Sequence, residues 1–137
     1  MKKSSLLLLL AAAAIGFSGC QSSKTAGMSV SVDMNQGQAK VIQADSGVAG
    51  KLAVLSAPSG YTSDHFLIAQ VEIKGLKKRD FHFQYMFNWY DANGMEIYPG
   101  KGLWKAAVIH GEEIQNLQAV SPYSTATSFR ISFRPIN

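Results

Sequence analysis

The amino-acid sequence predicts an all-β fold, an antiparallel β-sandwich of immunoglobulin type with about seven or eight strands. Apolar and polar residues alternate with a period of two in several short segments, which is typical of strands that bury one face. Turn-forming residues separate these segments at short intervals. After residue 27, no segment of helical length shows a 3.6-residue apolar period, although a short helix would fit within Ala44–Leu55. A small β-barrel is the alternative arrangement.

The N-terminal segment has the pattern of an export signal. Lys2 and Lys3 precede an apolar stretch, which closes on the small residues Ser18-Gly19 and then Cys20. A basic start, an apolar run of about 7–15 residues and a small-residue cleavage site predict a secretory signal peptide over residues 1–19. A membrane-spanning helix would need about 20 apolar residues, which the run Leu6–Phe17 does not supply.

Cys20 is the only cysteine of the chain and directly follows the predicted cleavage site. This position is typical of a bacterial lipoprotein, in which the sulfur carries lipid and the cysteine becomes the first residue of the mature protein. Phe17 departs from the leucine that is usual three residues before that cysteine. A secreted chain without lipid is the alternative, but it would carry an unpaired thiol. Gln21, by resemblance to Gram-negative lipoproteins, indicates the periplasmic face of the outer membrane.

Removal of the signal peptide leaves 118 residues, a normal size for one domain. Residues 20–27 are small and polar and predict a flexible tether, and 28–137 form the sandwich domain. The mature part has eleven Lys/Arg and nine Asp/Glu, so its net charge is +2. This charge is too small and too scattered to predict a nucleic-acid partner.

The first predicted strands are short. Weak apolar patterns predict strands at Val30–Met34 and Leu52–Leu55, and part of another at Val41-Ile42. A clearer alternation over His65–Lys74 places Leu67, Ala69, Val71 and Ile73 on one face. Gly75 ends this strand.

The strongest strand pattern covers Phe81–Tyr90. Its aromatic residues recur at every second position, so they share one face, which is expected to be buried in the core. These residues are Phe81, Phe83, Tyr85, Phe87 and Trp89. Asp91 is expected to cap a turn, and Asn93-Gly94 predicts a tight hairpin into Met95–Tyr98.

Three further segments complete the predicted sandwich. Trp104–Ile109 is apolar and ends at a turn, and Ile114–Val120 ends at Ser121-Pro122. In Phe129–Arg134, apolar residues alternate with arginine and serine, which predicts one buried and one solvated face.

The sequence predicts neither catalysis nor a metal or cofactor. It lacks a Gly-x-Ser-x-Gly elbow, a phosphate-binding glycine loop and a His-Glu-x-x-His motif. His65, His82 and His110 are scattered, and His82 falls on the strand face opposite the aromatic residues. Glu112-Glu113 is expected to lie in a turn without a chemical role.

Two sets of residues are candidates for binding. The densest positive charge includes Lys77, Lys78 and Arg79 and predicts a solvated hairpin loop, or alternatively a contact with lipid phosphates or an anionic envelope polymer. The second set is aromatic and lies near turns, which suits either edge packing or an anchor at an interface. It comprises Tyr98, Trp104 and Tyr123.

Two stretches resemble a known family. The run Phe87–Glu96, with Trp-Tyr-Asp before a glycine turn, is similar to the central motif of the YcfL-like family of periplasmic lipoproteins. Leu117–Pro122, followed by Ala126 and Phe129-Arg130, resembles the family's C-terminal pattern. The resemblance covers most of the chain, with residues 28–65 matching least. It implies a compact lipid-anchored β-sandwich in a Gram-negative envelope and supplies no activity or catalytic residues.

These observations favour a membrane-anchored, non-catalytic envelope lipoprotein. Its partners would be the membrane, through the lipid on Cys20, and a protein or another envelope component bound by the sandwich. The alternative is an accessory protein that binds a small ligand, a glycan or a metal in a pocket between loops. Convergent polar groups in a cavity would favour the alternative, whereas an apolar patch or a free sheet edge would favour protein binding.

Overall fold

The computed structural model describes residues 28–33, 38–43 and 46–136, and nearly all of them belong to β-strands or their connections. The predicted signal peptide, Cys20 and the tether lie outside these residues. The elements are β1 (Met28–Asp33), β2 (Gln38–Gln43), α1 (Ser46–Ala49), β3 (Leu52–Ser56), β4 (Ser59–Tyr61), β5 (Leu67–Gly75), β6 (Phe81–Tyr90), β7 (Lys105–Ile109), β8 (Ile114–Val120) and β9 (Ser128–Pro135).

The strands form two antiparallel sheets that face each other. The first sheet has the order β2-β1-β9-β6-β7. In the second sheet, β5 is the central strand and pairs with β8 on one side. On its other side, β5 pairs with β4 along its first half and with β3 along its second half. The predicted antiparallel β-sandwich is therefore confirmed.

The core lies between β6 and β9 of one sheet and β5 of the other. Phe83, Phe129 and Phe133 are fully buried, as is every second residue of β5 from Leu67 to Ile73. Ring centroids of Phe83 and Phe133 lie 5.9 Å apart, so aromatic contacts join β6 to β9 across the sheet. Four of the five predicted aromatic core residues of β6 are buried. Tyr85, at the centre of the strand, is only half-buried and packs against the core.

The predicted hairpin after β6 is wrong in its second strand. Met95–Tyr98 makes one bridge, between Tyr90 and Glu96, and the Ile97 amide donates to the Trp89 carbonyl oxygen at 2.8 Å. The segment then leaves β6, because Tyr98 adopts a left-handed backbone with φ 51°. Residue 99 is a proline, which has no amide to continue the ladder.

The sandwich has two ends that carry different residues. The β5–β6 loop (76–80) and the β7–β8 turn (110–113) lie together at one end, called here the basic end. The β6–β7 loop (91–104) and the β8–β9 loop (121–127) meet at the other, called here the groove end. Within the described ranges, β7 pairs only with β6 and β8 only with β5, so both are edge strands. No helix in this part of the chain is long and apolar enough to cross a membrane.

Candidate functional site

At the basic end, the side chains of Lys77, Lys78 and Arg79 are all exposed, as expected for a solvated loop. The loop rests on its surroundings through the backbone. The Leu76 amide donates to the Lys51 carbonyl oxygen at 2.9 Å, and the Gly75 amide donates to that of Glu113 at 3.0 Å. These bonds hold the start of the loop against the residue before β3 and against the β7–β8 turn.

A side-chain contact joins this loop to the β7–β8 turn. His110 Nδ1 is 3.0 Å from Asp80 Oδ2, and both side chains are more than half exposed. The His110 amide also donates to Glu113 Oε1 at 2.9 Å, which closes the turn predicted for Glu112-Glu113. Both contacts are at the surface, and they join the β7–β8 turn to the end of the β5–β6 loop.

At the groove end, the fold brings Tyr98 and Tyr123 together. Their ring centroids lie 5.1 Å apart with an interplanar angle of 42°. Tyr98 is 63% exposed, whereas Tyr123 is half-buried. Two of the three aromatic candidates therefore form one surface, although they are separated by β7 and β8 in the chain.

Tyr123 is positioned by the one buried polar residue of the described core. The hydroxyl of Ser121 donates to the Tyr123 carbonyl oxygen at 3.1 Å and accepts from the Tyr123 amide at 3.0 Å. The Ser121 amide donates to the Leu67 carbonyl oxygen at 2.7 Å. These bonds hold the β8–β9 loop against β5 and orient the tyrosine that follows.

Tyr98 is positioned by a turn that Asp91 stabilises. Asp91 Oδ1 accepts from the amides of Asn93 at 2.9 Å and Met95 at 3.0 Å, so the predicted cap is confirmed. Gly94 supplies a φ of 75°, a conformation that glycine adopts without steric cost. Tyr98 has no such freedom, and a bulky residue with positive φ is a strained exception that tends to occur at binding sites.

A cavity of about 250 Å³ opens beside the tyrosine pair, between the β6–β7 loop and the end of β8. Phe87 and Trp89 contribute to its lining, and its exposed apolar residues are Leu103 at 77% and Val120 at 50%. We call this cavity, together with the Tyr98–Tyr123 pair, the tyrosine groove. The groove lies between the edge strands β7 and β8. A ligand in it would therefore meet apolar side chains and lie close to two strand edges.

The groove also has polar walls. Asn88 Nδ2 donates to Glu96 Oε1 at 2.7 Å, and the side chains of Lys101 and Lys105 line the same cavity. A shallower depression of about 540 Å³, lined in part by Asp91, Ser124 and Thr125, lies on the other side of the tyrosine pair. The rings thus stand between two depressions, an arrangement suited to an elongated ligand.

Tyr90, the last residue of β6, is the described titratable group whose pKa is clearly shifted by its environment. Burial raises the pKa of its phenol above the ordinary value, the Arg130 guanidinium partly offsets this, and the Glu96 carboxylate adds to it. The Arg130 guanidinium carbon lies 5.4 Å from the centroid of the Tyr90 ring. Tyr90 therefore remains a neutral hydrogen-bonding group at physiological pH.

The third aromatic candidate, Trp104, is not part of the groove. The Arg134 guanidinium carbon lies 4.1 Å from its ring centroid, and Arg134 Nε donates to Gln84 Oε1 at 2.6 Å. Trp104 is half-buried by this contact on the outer face of the first sheet. Its structural environment accounts for its position without a ligand.

Sequence reasoning missed much of the groove's lining. Leu103 and Val120 are its most exposed aliphatic residues, and neither stood out from the strand pattern. The available signal was Leu103 itself, the only aliphatic residue in the glycine-rich segment 100–105, directly before Trp104. Among the described residues, no group of three or more His, Cys, Asp or Glu side chains could hold a metal ion.

Comparison with known protein families gives one match over most of the chain. A family model described as "Protein of unknown function (DUF1425)" matches residues 27–135. No curated protein matches the sequence.

Two solved structures have a similar fold. A DUF1425 family member from Shewanella sp. pv-4 is 28% identical, with a TM-score of 0.58; the match covers 68% of this chain and 86% of that one. Campylobacter jejuni Cj0090 is 17% identical, with a TM-score of 0.54, over 61% of this chain and 85% of that one. At 17% identity, the second likeness concerns the fold alone.

Proposed function

The chain belongs to the DUF1425 family of proteins of unknown function, and from this starting point we propose that it is a lipid-anchored, non-catalytic envelope protein whose sandwich binds a protein partner in the tyrosine groove. The proposal includes membership of the YcfL-like lipoproteins and a position on the periplasmic face of the outer membrane of a Gram-negative bacterium. Cys20 would carry the anchor.

The anchor is supported by the export signal that ends on the single cysteine. One acyl chain binds membranes only marginally, and stable attachment needs a second signal. Bacterial lipoproteins generally carry three chains, so attachment through Cys20 would need no membrane-binding surface on the groove. The groove would then be available for a partner.

The observation that carries the binding role is the conformation of Tyr98. An exposed aromatic ring on a left-handed backbone costs folding free energy, of the order of 1–3 kcal/mol for strained residues of this kind. The ring it presents packs on Tyr123 beside exposed Leu103 and Val120. Tyrosine is enriched among the residues that dominate binding at protein interfaces, and the adjoining edge strands β7 and β8 offer backbone groups to an added strand.

Capture of the lipid-anchored chain from envelopes, in native and variant form, tests this role. The Tyr98→Ala variant should lose a specific envelope protein that the native chain retains. Tyr61→Ala is the matched control, because Tyr61 is also an exposed tyrosine, at 45%, but lies on β4 outside the groove. Equal recovery of every envelope protein by the two variants would contradict the proposed site.

The anchor is tested separately. The Cys20→Ser variant should move from the membrane fraction to the soluble periplasmic fraction, and mass spectrometry of the native chain should find acyl groups on residue 20. An unmodified thiol at that position would contradict the anchoring while leaving the groove open to test.

A second candidate function is binding of a glycan. The observation that favours it is the polar wall of the cavity, where Asn88 and Glu96 are joined and Lys101 lies nearby. Soluble envelope glycan fragments should then change the tryptophan fluorescence saturably, through Trp89 in the groove lining. The change should disappear in Tyr98→Ala and persist in Tyr61→Ala.

A further inference from the structure

The direction of β1 shows which end of the sandwich its first residue is nearer to. Ser29 of β1 and Met86 of β6 both pair with Ser132 of β9, so β1 begins near the middle of β6. Both strands are antiparallel to β9 and therefore run in the same direction, from the basic end toward the groove end. Met28, the first residue of β1, therefore lies at the end of that strand nearer the basic end.

The length of the preceding segment agrees with this direction. Residues 20–27 reach at most about 26–29 Å when extended. Met28 lies level with Tyr85, and the four residues of strand from there to Phe81 at the basic end span about 13 Å. The tether is therefore long enough for Cys20 to reach beyond the basic end.

The basic end carries more positive than negative charge. Lys51 adds to the loop cations, and its Nζ lies 4.9 Å from the centroid of the Phe81 ring. An exposed apolar side chain, Leu76 at 42%, stands beside them. The charged residues of this end, within the described ranges, are Lys51, Lys74, Lys77, Lys78 and Arg79 against Asp80, Glu112 and Glu113.

We propose that the basic end faces the membrane that holds the anchor, with Lys77, Lys78 and Arg79 in contact with anionic lipid headgroups. This rests on the proposed lipidation of Cys20. Attraction between exposed charges extends only about 8 Å at physiological salt, so these cations alone would bind a membrane weakly. The anchor keeps them within the tether's reach, and a tethered contact forms at a high effective concentration.

The orientation has a consequence for the groove. The basic loop and the tyrosine groove lie at opposite ends of β6, a strand of ten residues that spans about 33 Å. With the basic end against the headgroups, the groove opens away from the membrane into the periplasm. The lipid would thus determine which way the binding surface faces as well as where the protein resides.

Fluorescence of the purified lipidated chain in vesicles tests this orientation. Acylation of Cys20 leaves an introduced cysteine as the free thiol, so a polarity-sensitive dye can be placed by Leu76→Cys at the basic end or by Leu103→Cys at the groove. Vesicles of phosphatidylcholine are compared with vesicles that also contain phosphatidylglycerol. The dye at 76 should shift to the blue only with the anionic lipid and should lose that shift at high salt, and the dye at 103 should not respond.

Paired charge variants supply the control. Lys77→Ser with Lys78→Ser should abolish the shift at 76. Lys101→Ser with Lys105→Ser removes the same charge from the lining of the groove and should leave the shift intact. Three results would overturn the proposal. The dye at 76 could shift equally in both kinds of vesicle, the dyes at 76 and 103 could shift equally, or the dye at 76 could shift only with a soluble polyanionic polymer. Mass spectrometry of the same sample reports acylation of Cys20 independently, so failure of the anchor and failure of the orientation are distinguishable.

Discussion

The carbonyl oxygen of Gly111 occupies the space where a side chain on Gly75 would begin. A Cβ atom at Gly75 would overlap that oxygen and lie 3.0 Å from its carbonyl carbon. The end of β5 therefore touches the β7–β8 turn backbone to backbone, and this contact supports the basic loop that follows Gly75.

Gly75→Ala is expected to destabilise the fold, because backbone atoms rather than a flexible side chain must move to admit the methyl group. Overpacking of this kind costs about 1–3 kcal/mol or more. The control is Gly60→Ala, where nothing lies within 4 Å of the added Cβ, and its free energy of unfolding should change by less than about 0.5 kcal/mol. Urea denaturation of both variants measures the difference, and equal stability would contradict the close approach.

Tyr98→Asn should separate binding from stability. Asparagine tolerates positive φ better than tyrosine, so relief of strain opposes loss of the Tyr98–Tyr123 ring contact, worth about 0.5–1.5 kcal/mol. The free energy of unfolding should stay within about 1 kcal/mol of the native chain, while groove binding is lost. A larger destabilisation would show that Tyr98 serves folding rather than recognition.

The two faces of β6 should respond differently to truncation. Phe83 is fully buried between the sheets, so Phe83→Ala should cost about 3–5 kcal/mol. His82, its neighbour on the opposite face, is exposed, and His82→Ala should change the free energy of unfolding by less than about 0.5 kcal/mol. Thermal denaturation followed by circular dichroism tests this; similar costs for the two variants would contradict the assigned faces.

The raised pKa of Tyr90 predicts a loss of stability at alkaline pH. The unfolded chain would release the phenol proton near pH 10, whereas the folded chain holds it to higher pH because burial disfavours the phenolate. The stabilisation is complete below about pH 10 and declines as the pH rises through the folded pKa. Tyr90→Phe should show a smaller decline than the native chain in denaturation series above that pH, and identical slopes would contradict the assignment.

The sequence predicted strand bounds best where apolar and polar residues alternate strongly. β6 and β8 have the bounds expected for them, because most of their positions alternate between more and less buried until a turn residue follows. The short helix expected within Ala44–Leu55 is present as α1. β4 was missed, because Ser59–Tyr61 follows a proline and has a turn-like composition; it is a strand because β3 leaves the first half of β5 unpaired.

The groove could be predicted only in part. Tyr98 and Tyr123 stood out as aromatics near turns, but their contact depends on how the β6–β7 and β8–β9 loops meet when the sheets pack. The prediction of a hairpin was wrong at this point, because Asn93-Gly94 indicated a regular second strand that continues through Tyr98. The residue instead turns outward on a left-handed backbone, a feature that no local pattern indicates for tyrosine.

Site-directed photo-crosslinking in intact cells tests the binding role of the groove most directly. A photoreactive side chain replaces Leu103 in the groove or, as the control, Leu55, which is also exposed but lies on β3. Position 103 should give a discrete crosslink to one envelope component. The same crosslink should be absent from position 55 and should be lost in the Tyr98→Asn variant. Crosslinks that are absent from 103, or that are the same from both positions, would contradict recognition through the tyrosine groove.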